Sequence, residues 1–566
     1  MQYRWEIKSS PEAAQVDQLA QEINVSPILA ALLINRGIED FDQAKAFFRP
    51  SLDQLHDPFL MQDMEAAVNR VLQAMQKSEK IMVYGDYDVD GTTSVAMFYS
   101  FLKSQYDNVC YYIPDRYKEG YGVSIRGIET AEEQGVKLIV SLDCGIKAVE
   151  KVTIAKSKGI DFIICDHHTP GEQLPEAVAV LDPKRTDCSY PYKELSGCGV
   201  GFKLIQAIVK KLQLEESIPL DYLDLLAVSI ASDIVPITGE NRVLAHFGLT
   251  KLNNQPRPGL KALIDLSDYR KSIDINSIVF TIGPRINASG RIKHAHFAVE
   301  LLLADTRAEA DTLAASINKS NEERRVFDQS ITKDALELIE QDEAAVQAKS
   351  TVLFKEDWHK GLIGIVASRC IEKYYKPTII LTASNEKATG SARSVDGFDV
   401  YEAIEACADL LDQFGGHKYA AGLTMPLENI PAFREKFEAV VSERITEDML
   451  TPKISIDQKV RLDQIHSKMY KIIEQMQPFG PENTMPLFYA QDLYAENVRL
   501  LKEQHLKFTV RQDHQGNAID CIAFQFAPYY EMIASGMRFQ MAFYIEENWF
   551  RDKVSIQLRV KDIKFE

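Results

Sequence analysis

From about residue 80 onward, short apolar runs alternate with stretches of helical spacing. The runs at 81–84, 109–113, 138–142, 162–165 and 177–181 predict strands. Residues 93–103, 124–134, 147–158, 201–212 and 221–231 predict helices. This alternation predicts βαβ units and a parallel sheet covered on both faces, so the fold class is α/β. Upstream, residues 1 to about 75 read as mostly helical, with runs at 30–34 and 64–72 and breaks at Pro50 and Pro58.

Between Gly290 and Gly361 the chain holds neither glycine nor proline. Leu301, Leu302, Leu313, Ile317, Phe327, Ile331, Leu336 and Ile339 recur there among charged residues, which predicts a long helical connector. A second, smaller α/β segment follows, with strands expected near 351–354 and 378–381. The tail alternates with period two at 506–510, 518–524, 541–545 and 554–560, the pattern of a small barrel of OB type.

The chain has 566 residues, room for three or four domains. A net charge of −18 argues against a surface that coats duplex DNA, although a local basic groove stays open. The N-terminus has no apolar signal region, and no stretch reaches the ~20 apolar residues that a bilayer needs. Eight scattered cysteines without a Cys-x-x-Cys pair read as buried free thiols in a reducing cytoplasm.

Acidic and histidine residues gather where the strands are expected to end. Asp86-Tyr87-Asp88-Val89-Asp90-Gly91 follows the first strand, Asp143 the third, and Asp166-His167-His168 the fourth; Asp233 follows a helix. The first motif is no calcium loop, because its twelfth position is Met97 where a bidentate glutamate is required. Asp143 taken alone could equally cap a helix. Open α/β sheets bind ligands beyond the carboxyl ends of their strands, so one crevice could collect all four motifs. Carboxylates with an imidazole suit magnesium or manganese, and a pair of such ions points to hydrolysis of phosphate esters. Gly197-Cys198-Gly199-Val200-Gly201 could cradle an anion or serve close packing. There is no Gly-x4-Gly-Lys-Ser/Thr motif, which disfavours an ATP-driven motor.

Taken with Gly415-Gly416-His417-x-x-Ala420-Ala421-Gly422, these motifs resemble the DHH phosphoesterase superfamily and its DHH-associated domain. Pro114-Asp115-Arg116, Arg285-Ile286-Asn287, Trp358-His359-Lys360-Gly361 and Pro478-Phe479-Gly480-Pro481-Glu482-Asn483 narrow the resemblance to its bacterial single-strand-specific exonucleases. The resemblance implies a helical extension over 1–75, a DHH catalytic domain over 76–290 and a connector over 291–350. It places a DHH-associated domain over 351–450 and an OB-fold nucleic-acid-binding domain over 451–566.

It also implies two divalent cations, Mn2+ or Mg2+, held by Asp88, Asp90, Asp143, His167 and Asp233, with Asp86 in support. His168 would contact or orient the scissile phosphate. Arg116, Arg285, Ser391, Arg393 and His417 would grip phosphates, and Arg116, Ser391 and Arg393 would set 5′→3′ polarity. Ordinary surface charges and a turn hydroxyl are the plainer readings of those residues. The Gly415-Gly416-His417 stretch is expected to be a tight loop. Many superfamily members carry a histidine where this chain has Tyr84. The activity implied is hydrolysis of single-stranded DNA to 5′-mononucleotides in repair and recombination, with a single-strand-binding protein and a helicase as partners. Aromatic and basic residues of the terminal barrel, Trp549, Phe550, Tyr529, Tyr530, Arg511 and Lys507, could stack bases and follow a backbone. A phosphodiesterase for short oligonucleotides or cyclic dinucleotides, and a non-catalytic DNA-binding scaffold, are the competing readings.

Overall fold

The computed structural model describes every residue except 1–2, 268, 270, 513–515, 551–552 and 566. The chain forms two compact units, Ser9–Ser320 with Asp457–Glu566, and Met1–Lys8 with Asn321–Ile456.

The larger unit holds a five-stranded, all-parallel sheet. Its strand order is Val109–Tyr112, Lys80–Gly85, Val136–Leu142, Asp161–Cys165, Ala179–Leu181. Strand Lys80–Gly85 shows why the apolar runs are unbroken. Ile81 and Val83 face a core shared with helices Met64–Gln76, Val89–Gln105, Gly197–Leu212 and Leu223–Ser232. Met82 and Tyr84 face a second core with helices Ile125–Glu133 and Val149–Ser157. A strand buried on both sides has no polar face to show. Lys80–Gly85 also lies where the strand order reverses, and it feeds directly into the first acidic motif.

The N-terminal segment is helical as expected, except that Arg4–Ile7 is a strand. It pairs in parallel with Lys453–Ile456 in the smaller unit. The connector begins later than expected. Residues 275–303 are broken into short helices, including a π-helical turn Ile278–Ile282, and one long helix then runs Arg307–Glu340. That helix contributes residues to both units.

The smaller unit has a five-stranded sheet ordered Gln413–His417, Ala420–Pro426, Lys387–Arg393, Thr378–Ser384, Thr351–Phe354. Here the expected loop at Gly415-Gly416-His417 is instead a strand. It pairs antiparallel with Ala420–Pro426, so the turn falls on Lys418-Tyr419. Two adjacent glycines suggest a loop, but ladder hydrogen bonds from the partner strand decide the conformation.

The C-terminal segment forms a six-stranded sheet in which Phe488–Leu501 also pairs with Phe539–Phe550, closing a barrel. Its interior includes Phe488, Phe508, Phe539 and Phe543. Trp549 is 73% exposed near the tip of the hairpin formed by Phe539–Phe550 and Lys553–Phe565; the Phe550 side chain lies outside the described residues. Seven of the eight cysteines are buried and all are free thiols. Among the described residues no helix is long and apolar enough to cross a membrane.

Candidate active site

Four aspartates, Asp86, Asp143, Asp166 and Asp182, each occupy the first position after a parallel strand. Adjacent strands therefore deliver their carboxylates to one edge of the sheet. Asp88 and Asp90 enter on the helix that starts at Val89, and Asp233 sits at the end of helix Leu223–Ser232. His167 lies at the centre. Its Nε2 is 3.2 Å from Asp143 Oδ1, 3.5 Å from Asp233 Oδ2 and 3.9 Å from Asp90 Oδ2. Two clusters offer ligand atoms close enough to share a cation, Asp143–His167–His168 and Asp90–His167–Asp233.

The electrostatics of this arrangement are unfavourable without a counter-charge. Burial, then the neighbouring Asp90 and Asp88 carboxylates, push Asp143 well above the usual carboxylate range. The same causes lift Asp233 to about 8. Burial followed by the charge of Asp88 raises Asp86, and burial lowers His167. Asp86 Oδ2, Asp143 Oδ1 and both ring nitrogens of His167 are buried with no hydrogen-bond partner. Buried polar atoms are nearly always satisfied, so this concentration of bare oxygen and nitrogen donors fits divalent cations.

The remaining atoms of the cluster are held firmly. Asp88 Oδ1 accepts from the Gly91 amide, capping the helix. Asp90 accepts from the Gly197 and Cys198 amides at 2.7 and 2.9 Å and from the Ser229 hydroxyl at 2.7 Å. The glycine-rich helix start at 197–201 thus does bind an anion, but the anion is the chain's own Asp90 carboxylate. The approach demands glycine at 197, because a Cβ there would stand 2.5 Å from Asp143 Cβ. Asp143 itself is left-handed, with φ 60°, and caps no helix.

His168 has a different task. Its Nδ1 lies 2.7 Å from Asp166 Oδ1, and its Nε2 faces the Tyr121 hydroxyl at 3.1 Å. Burial alone would lower its pKa. The Asp166 hydrogen bond and charge outweigh burial and raise it to about 9. Asp166 also accepts from the Ile146, His167 and His168 amides. Against its own burial, these bonds and the His168 charge hold it down to about 2. The sequence gives neither Asp166 nor Tyr121 a role of its own. Asp166 sits inside the most conspicuous motif, yet only its partner atoms reveal that it orients His168.

Tyr84 stands at the position noted above for a histidine, and its hydroxyl is engaged by the neighbouring loop. Its hydroxyl accepts from the Ser124 amide and donates to the Gly122 carbonyl, both at 3.0 Å. The Gly122 amide in turn approaches Asp86 Oδ1 at 3.3 Å. The tyrosine therefore braces the loop that supports Asp86.

Arg116 stacks over the Tyr87 ring at 4.7 Å, beside the acidic motif. Arg285 uses its guanidinium on the Asn318 side chain and the Thr281 carbonyl, so much of its fork serves the connector. Ser391, Arg393 and His417 belong to the smaller unit. Arg393 Nη1 donates to the Ser391 hydroxyl at 3.1 Å, and the two lie on one face of their strand beside Gly364. His417 ends its strand, with Nδ1 accepting from the Tyr419 amide.

Three family models match in chain order: the N-terminal domain of the DHH family over residues 80–230, the DHHA1 domain over 346–443 and the RecJ OB domain over 456–562. The single-stranded-DNA-specific exonuclease RecJ of Bacillus subtilis is 36% identical over 565 residues, covering 99% of this chain and 70% of that protein. The chain belongs to the RecJ family. Its Escherichia coli relative of the same description is 30% identical, with 97% of this chain and 98% of the relative covered. The crystal structure of RecJ in complex with Mn2+ from Thermus thermophilus superposes with a TM-score of 0.86 at 27% identity, covering 99% of this chain and 79% of that one. Within this RecJ frame the DHH match contains Asp86 through His168, the DHHA1 match contains Ser391, Arg393 and His417, and the OB match contains Trp549.

Proposed function

We propose that this protein is a metal-dependent 5′→3′ exonuclease that hydrolyses single-stranded DNA to 5′-mononucleotides. The observation that carries the reading is the convergence of Asp90, Asp143 and Asp233 within 4 Å of His167 Nε2, in a chain that aligns end to end with RecJ proteins. Asp88, Asp90, Asp143, His167 and Asp233 would hold two divalent cations, Mn2+ or Mg2+, with Asp86 supporting the cluster. Ions bound there supply an activated water and stabilise charge on the departing oxygen.

The chain's own groups do the rest. His168, kept cationic by Asp166, would put positive charge beside a phosphate at the cluster's edge. Tyr121, whose hydroxyl meets Nε2, steadies that imidazole and would give way if Nε2 turned to a phosphate oxygen. Arg116 in the larger unit, and Ser391, Arg393 and His417 in the smaller, each offer forks or donors suited to phosphate. The terminal barrel, with Trp549 near its hairpin tip, would follow the strand by stacking. Such an enzyme would work in the cytoplasm in DNA repair and recombination, supplied by a helicase and a single-strand-binding protein.

Strands labelled at the 5′ or the 3′ end, incubated with Mn2+, test the reading. Release of labelled mononucleotide from the 5′ end first is expected; release from the 3′ end refutes it. The terminal barrel and the long connector distinguish this reading from a phosphodiesterase for dinucleotides. Turnover on a dinucleotide should fall well below that on a long strand.

A further inference from the structure

Directly after Asp233 the chain does something costly. Ile234 has φ 60°, in the left-handed region, where a β-branched side chain crowds its own backbone. Folding leaves the residue 62% exposed, so burial offsets little of that cost. A strained, mostly exposed apolar residue points to a role outside the fold's own packing.

The strain is held from both sides. On the N-terminal side, the Asp233 amide donates to the Ser229 carbonyl and closes helix Leu223–Ser232. On the C-terminal side, the Pro236 carbonyl accepts from Asn241 Nδ2 and the Tyr192 hydroxyl. The fully buried Ile237 donates its amide to the Pro481 carbonyl at 2.9 Å and packs so closely on Gly480 that a Cβ there would stand 2.5 Å away. The loop carrying Pro481 is itself tied down. Arg242 donates to the Met476, Gln477 and Pro478 carbonyls, and Asn483 Nδ2 to those of Met476 and Pro478. Only Ile234 projects freely from this clamped segment, next to a carboxylate that faces His167.

We infer that Ile234 is a substrate-contacting residue, an apolar surface against which the base of the nucleotide at the carboxylate–imidazole cluster packs. The inference rests on the nuclease reading above. Phosphates would meet His168 and the cations that the aspartates would hold, but those contacts offer no grip on a base. An isoleucine held upright by its backbone supplies that grip without hydrogen-bond discrimination, as a nuclease indifferent to sequence requires.

The test compares wild type with Ile234→Gly and Ile234→Val on two 5′-phosphorylated single strands, one ordinary and one abasic at its first three positions. Ile234→Gly relieves the strain, so its melting temperature should equal or exceed that of wild type. Mn2+ binding, read by electron paramagnetic resonance on the full chain, should not change. KM on the ordinary strand should rise roughly fivefold, the loss of one apolar contact. Ile234→Val should keep most of the affinity, and the abasic strand should erase the difference between wild type and glycine. An equal KM rise on both strands, or weakened Mn2+ binding, overturns the inference and makes Ile234 a purely structural residue. If wild type fails to hydrolyse single strands, the nuclease reading fails. Fluorescence anisotropy of the same two strands still decides the base contact by the same comparison.

Discussion

Asp166 Oδ1 lies 2.7 Å from His168 Nδ1, and this contact, aided by the Asp233 and Asp90 carboxylates, keeps the imidazole charged. The His168 pKa is raised, so its charge persists from low pH up to about 9 and disappears above it. In Asp166→Asn the anion is gone and the His168 pKa falls back towards its ordinary value near 6.5. The alkaline limb of kcat/KM should therefore move to lower pH by roughly one to two units. Activity at neutral pH should drop roughly ten- to a hundredfold. A pH–rate profile of the variant checks both.

Gly197→Ala tests the packing that sets Asp143. The new methyl would meet Asp143 Cβ at 2.5 Å and Cα at 2.8 Å, while the Gly197 amide is committed to Asp90. Overpacking of this kind costs roughly 1–3 kcal/mol of stability. The Mn2+ concentration giving half-maximal activity should rise and kcat should fall, with the far-UV circular dichroism spectrum unchanged.

Asp143→Ala should abolish cleavage, by roughly a thousandfold or more, while strand binding measured by anisotropy survives. Chelation with EDTA should bring wild type to the same level. Added Mn2+ should rescue wild type alone. Full activity in the variant would remove Asp143 from the site.

Further along the helix that starts at Gly197, Lys203 Nζ and Glu240 Oε1 form a fully buried pair at 2.6 Å. Glu240 also accepts from the Tyr190 hydroxyl and the His56 amide. Lys203→Met leaves that carboxylate buried without its cation and should cost roughly 3–5 kcal/mol in urea unfolding. The double variant Lys203→Met/Glu240→Gln should recover part of the loss, since it removes the stranded charge.

The catalytic edge was legible because both of its signals are local. Continuous apolar runs identify doubly covered parallel strands, and the aspartate directly after four of the five strands lies at the sheet's carboxyl edge. What escaped is what depends on distant partners. The amide-rich helix start at Gly197 suggests an anion, but its guest, Asp90, lies more than a hundred residues upstream. Strand Phe488–Leu501 escaped as well. A register shift between Glu496 and Arg499 and an exposed second half break the period-two pattern that revealed its neighbours. The Gly415-Gly416-His417 strand was hidden for a related reason, since its conformation comes from the ladder it joins.

Pairing of Arg4–Ile7 with Lys453–Ile456 has a consequence for biogenesis. A nascent chain emerges from its amino end, so this strand leaves the ribosome before the residues 8–452 that separate it from its partner. The unit that carries Ser391 and Arg393 cannot complete that pairing until then. Deleting Arg4–Ile7 would leave Lys453–Ile456 without its partner strand, far along the chain from the cut.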